Sequence, residues 1–139
     1  MTSPRQKDAK LFYRCAFQRL GDAQILLEEE HITGAVYLAG YGIECILKAL
    51  ILSVVSPGQL ASVLNNFRGQ RAHSYEWLRE EYYNNNGARF PREVNQHFTF
   101  AARYWPSSLR YQPGTLNLGD AEDFIAAVIA IIAWAEGRF

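Results

Sequence analysis

From Gly34 to Val55 the chain runs for 22 residues with only two charges, Glu44 and Lys48. A segment this long, and apolar on nearly every side, either spans a bilayer or is wrapped by other helices. The two charges fall near its middle, where each would cost about 3 kcal/mol at a bilayer centre. The expectation is therefore a buried helix of a soluble bundle, with no membrane involved. Ahead of it, Ala9, Phe12, Ala16, Leu20, Ala23 and Leu27 recur at spacings of three and four. This predicts a first helix from about Pro4 to Glu30, capped by Ser3, with His31–Gly34 as the turn.

Downstream, Ser56-Pro57 predicts a stop and a short helix to about Asn66. Ser74 predicts a cap for a helix from Tyr75 to about Tyr83, ended by Asn84-Asn85-Asn86-Gly87. A further helix is expected from Pro91 to before Pro106, then a loop over Trp105–Gly119, then a last helix capped by Asp120. That helix carries the uninterrupted apolar run Phe124–Ala135, which is too short for a membrane and offers no solvent face. Either it lies centrally or a second copy covers it. No stretch alternates as a strand does. The predicted fold class is all-α: one domain, residues 1–139, an antiparallel up-and-down helical bundle of four to five helices, dimeric.

Charge bounds the function. Fourteen Lys and Arg balance fourteen Asp and Glu, which excludes a protein that coats nucleic acid through net charge. Eleven of the cations are Arg and three are Lys, and Arg makes the bidentate contacts that carboxylates and phosphates favour. Met1–Lys10 lacks the apolar run of a secretory leader, and Cys15 and Cys45 sit in helical patterns, so reduced thiols and a cytoplasmic location are expected. No CxxC, HExxH, GxGxxG, GxxxxGK[ST] or GxSxG occurs, so neither a metal nor a cofactor is expected.

Three constellations could carry chemistry. Tyr37, Tyr41, Glu44 and Lys48 follow at offsets of four, three and four and share one helix face. There Glu44 either simply pairs with Lys48 or orients an Arg or a ligand group in a cleft. Arg68, Arg71, His73 and Tyr75 fall within eight residues at a helix start. Free N–H groups and the helix dipole favour an anion there, and His73 brings a ring able to act as a base. The alternative is a solvated loop. Arg103, Tyr104, Trp105, Arg110 and Tyr111 interleave guanidinium with aromatic rings, suited to stacking on bases and holding phosphates or, equally, to covering one end of the core.

The segment Gly34–Leu50 closely resembles the second helix of the HEPN family. Arg19–Leu27, with His31 before the turn, resembles the preceding helix, His73–Leu78 the family's short third helix, and Leu109-Arg110-Tyr111 the Arg-Tyr signature before its last helix. The resemblance spans about residues 5 to 137. It implies a dimerising helical bundle acting in RNA-targeting defence or toxin–antitoxin systems, often beside a nucleotidyltransferase partner. Active members resemble metal-independent ribonucleases built on Arg, four to six residues, then His. Arg68 and His73 fit that spelling, as do Arg92 and His97, whereas no His follows Arg110.

Three functions follow. The first is a nucleotide- or RNA-binding protein, or a nucleotidyltransferase partner, with Arg68, Arg71, His73 and Arg110 on phosphate. In it Tyr111 or Trp105 stacks, Glu44 positions an Arg, and Lys48 and Tyr75 complete the site. The second is a metal-independent endoribonuclease with Arg68 and His73 as catalytic pair. The third is a structural dimeric bundle in which these groups only satisfy one another.

Overall fold

The computed structural model describes residues 3–104 and 116–139. Among them the chain forms six α-helices and no strand. These are α1 (Lys7–Glu28), α2 (Ile32–Val54), α3 (Leu60–Asn66), α4 (Tyr75–Asn84), α5 (Arg92–Ala102) and α6 (Leu118–Glu136), with single 3₁₀ turns at Pro57–Gln59 and Gln70–His73.

α2 is the axis of the core, packed by α1, α4 and α6, while α5 packs against α6. It is long and apolar enough to cross a membrane, yet fourteen of its residues are buried against the other helices. Small side chains allow the close fit to α1. Ala9, Ala16 and Ala23, spaced by seven, are fully buried, and Gly42 lies where an added Cβ would sit 3.5 Å from the Ala16 carbonyl and 3.4 Å from Val128. The largest fully buried side chains include Ile43 and Leu47 of α2, Phe98 of α5, and Phe124 and Ile131 of α6. Such burial, at about 25 cal/mol per Å² of apolar surface, is what holds helices together that would be marginal alone.

Local chemistry sets the helix ends, and several differ from expectation. α1 starts at Lys7 rather than Pro4, because the Gln6 side chain, not Ser3, accepts the Ala9 N–H at 2.6 Å. It ends in a Schellman motif: His31 N–H donates to the Leu26 carbonyl at 2.9 Å and Glu30 N–H to that of Leu27 at 3.0 Å. Glu30 takes the left-handed position, φ 63°, that glycine normally fills. The turn is therefore tight, and α2 begins at Ile32, two residues before Gly34. α4 ends the same way, with Asn86 at φ 71° and Gly87 N–H on the Tyr82 carbonyl at 2.7 Å. Ser74 caps α4 as expected, its hydroxyl accepting from Trp77 N–H at 3.3 Å. α6 is capped by Asn117, which accepts from Asp120 N–H at 2.8 Å. Asp120 thus falls in the first turn, where its charge faces the positive end of the helix.

The apolar run of α6 is mostly covered by its own chain. Of Phe124–Ala135, Ala126, Ile129 and Ala133 are exposed, Ile129 at 42%. A lone molecule therefore does not expose half of this run, and the expectation of a second copy loses that argument. The loop expected over Trp105–Gly119 lies outside the described residues as far as 115.

Candidate phosphate site around Glu44 and His73

Glu44 and Lys48 are one turn apart on α2 and only 4% and 5% exposed. Two charges at that depth must satisfy each other, and Lys48 Nζ donates to Glu44 Oε2 at 2.8 Å. The ammonium lies between two aromatic faces, 5.6 Å from the Phe12 centroid and 5.5 Å from that of Phe67. Those rings meet edge to face at 5.9 Å. α1, α2 and the end of α3 thus jointly enclose this cation. On the same face of α2, the Tyr37 and Tyr41 hydroxyls are 3.2 Å apart.

The second carboxylate oxygen reaches across the fold. Glu44 Oε1 lies 3.0 Å from His73 Nδ1, a residue 29 positions away in the chain. Two anchors deliver His73 to this spot. Buried Ala72 pins the 3₁₀ turn, and the fully buried Tyr75 donates its hydroxyl to the Gly40 carbonyl at 2.7 Å, fastening the start of α4 to α2. A carboxylate only accepts, so Nδ1 carries the proton in this contact, and the lone pair of the neutral ring falls on Nε2. The imidazole remains 41% exposed.

Burial leaves its mark on neighbouring groups. The Cys45 thiol is pushed up to about 12, first by burial, then by the charges of Glu44 and Cys15. The Tyr75 phenol is held well above its ordinary value, again chiefly by burial and next by Glu44. Both cysteines are free and half-buried, and among the described residues no cluster of His, Cys, Asp and Glu could hold a metal.

The expected site residues now separate. Glu44, Lys48 and Tyr75 are too deeply buried to touch a ligand, so in this arrangement they position others. Glu44 holds a His, and no Arg partners it among the described residues. Arg68, Arg71 and His73 reach the surface on one connector. Arg71 lies with its guanidinium 5.5 Å over the Trp77 ring, and neither it nor Arg68 makes an ion pair among the described residues. Arg92 and His97 are on α5, outside this cluster, with Arg92 exposed and His97 half-buried. Trp105, Arg110 and Tyr111 lie outside the described residues. Sequence reasoning missed two supports, the Phe12–Phe67 cradle of Lys48 and the anchor of Tyr75 on Gly40. Neither has a local signature, because each joins separate helices.

Compared with family models, with curated proteins and with solved structures, the chain matches none.

Proposed function

We propose that this chain binds the phosphate groups of RNA on the connector between α3 and α4, using Arg68, Arg71 and His73. The observation that carries the reading is the Glu44–His73 contact. A buried carboxylate, already neutralised by Lys48, uses its other oxygen to orient one part-exposed imidazole on the connector that also carries Arg68 and Arg71, neither of them in an ion pair among the described residues. The Nδ1 contact leaves Nε2 as the acceptor of a ring whose side chain is 41% exposed, and two Arg supply charge-assisted contacts to phosphate. Kinship with HEPN proteins belongs to the same proposal; its support is that Glu44 and His73, which sit in two of the resembling segments, meet in the fold.

The test is fluorescence anisotropy of a labelled single-stranded RNA across a salt series. Binding should weaken linearly in log–log form with salt, and Arg68→Gln/Arg71→Gln should reduce the slope by about two phosphate contacts' worth. Binding that the double variant leaves unchanged would refute the reading.

The same contact favours a second reading, metal-independent RNA cleavage. His73 Nε2 would take the proton of a ribose 2′-OH as that oxygen attacks phosphorus. The bond to the 5′-oxygen then breaks, that oxygen gains a proton from water, and a 2′,3′-cyclic phosphate is left. Cyclic-phosphate ends formed in EDTA by the wild type and lost in His73→Ala would establish it. RNA that stays intact through prolonged incubation would leave binding alone.

A further inference from the structure

Cys15 on α1 and Cys45 on α2 are the only thiols of the chain, both free and half-buried, and the connector site uses neither. The register of α1 against α2 sets them opposite each other. The two helices run antiparallel from the tight turn at His31, and two contacts fix their pairing. At the turn end, Leu26 Cδ1 lies 3.7 Å from where a Cβ on Gly34 would sit. Further along, Lys48 Nζ lies 5.6 Å from the Phe12 ring centroid. Phe12 and Leu26 are fourteen residues apart, as are Gly34 and Lys48, so each step back along α1 is matched by one step forward along α2. Cys15 and Cys45 each lie three residues in from the Phe12–Lys48 end and therefore face each other across the seam.

The backbones come close at this point. Ala16 follows Cys15, and Gly42 stands about one turn before Cys45, where an added Cβ would sit 3.5 Å from the Ala16 carbonyl oxygen. A disulfide needs Cα atoms roughly 4.4–6.8 Å apart, and a seam of alanine and glycine is what lets two helices approach that far. The two sulfurs also sense each other. Burial, then the charges of Glu44 and Cys15, hold the Cys45 thiol at about 12, with Lys48 and Arg19 opposing. A thiol at that value stays protonated at neutral pH, so Cys15 is the sulfur that meets an oxidant first.

We infer that Cys15 and Cys45 are a dithiol that hydrogen peroxide converts into a disulfide tying α1 to α2. The Cys15 sulfur attacks the peroxide: an S–O bond forms, the O–O bond breaks, and the thiol becomes a sulfenic acid while the peroxide is reduced to water. The Cys45 sulfur then attacks the Cys15 sulfur. The S–S bond forms, the S–O bond breaks, and the hydroxyl leaves with the Cys45 proton as a second water. This chemistry stands or falls independently of RNA binding at the connector.

Treatment of the full chain with hydrogen peroxide, followed by intact mass and non-reduced peptide mapping, tests the pairing. The expected result is a loss of about 2 Da within one chain and a peptide joining Cys15 to Cys45, both reversed by dithiothreitol. Dimedone present during oxidation should label Cys15 and suppress the link, and Cys45→Ala should stop at the labelled Cys15. The linked chain should keep its helical circular dichroism and melt about 5 °C or more higher, because the closed loop restricts the unfolded chain. The inference is overturned if oxygen adds to the two cysteines with no link between them, or if the only disulfide joins separate chains. It is equally overturned if the link appears only with loss of helix.

Discussion

Replacing Glu44 by Gln keeps the side chain's shape and one acceptor oxygen but removes the charge that neutralises Lys48. The Lys48 side chain is 7% exposed and that of Glu44 6%, so the remaining ammonium cannot recover its hydration without moving. Breaking one partner out of a buried pair typically costs about 3–5 kcal/mol. Two aromatic faces at 5.5 and 5.6 Å still attract the cation, and each offsets roughly 0.5–1 kcal/mol. The net expectation is about 3 kcal/mol, or a fall in Tm of about 10 °C for a domain of this size. The double variant Glu44→Gln/Lys48→Met removes both charges and retains the apolar stem, so most of that loss should return. Urea denaturation of the four proteins of this cycle, followed by circular dichroism, reads the coupling directly, and at least 2 kcal/mol is expected. A Glu44→Gln cost below about 1 kcal/mol would mean that the pair is not desolvated, and the account of a buried carboxylate holding His73 would fail with it.

Other substitutions test the helix ends and the buried thiol. Glu30→Gly should stabilise the protein by about 1 kcal/mol in the same assay, because it removes the strain of a side chain at φ 63°. Gly87→Ala should cost about 2 kcal/mol or more, since the added Cβ would fall 2.4 Å from the Tyr82 ring and 2.5 Å from its carbonyl oxygen. Cys45, with its thiol at about 12 instead of the usual 9, binds a proton more tightly folded than unfolded. Its contribution is intact below pH 9 and declines as pH rises toward 12. Stability should therefore fall by about 1.4 kcal/mol per pH unit over that window, and Cys45→Ser should flatten the decline. At pH 8 an alkylating reagent should modify Cys15 well before Cys45, as peptide mass mapping would show.

What could be read from the sequence follows the range of each interaction. Ser74 as a cap, the α1 stripe and the Glu44–Lys48 pair are local, within four residues, and each is in place. The start of α1 and the cap of α6 differ from expectation for a local reason as well. Gln6 and Asn117 compete for the same orphan N–H groups as Ser3 and Asp120, and composition alone does not rank them. Glu30 hides the end of α1, because the glycine that normally marks such a stop is absent. The site's key contact spans 29 residues, and only packing decides which side chain Glu44 faces. The sequence left Glu44 either paired with Lys48 or orienting an Arg or a ligand group, and the fold adds a His to the Lys48 pair. Tyr75 likewise depends on packing. A tyrosine beside a candidate His looks like a ligand contact, yet its phenol is used to tie two helices together.

The central claim concerns one ring, and nitrogen-detected NMR of the His73 imidazole near pH 8 addresses it most directly. The expected result is a neutral ring protonated on Nδ1, with the Nε2 signal shifting as single-stranded RNA is added and Glu44→Gln abolishing the tautomer preference. A ring protonated on Nε2, or an Nε2 signal unmoved at saturating RNA, would contradict the account.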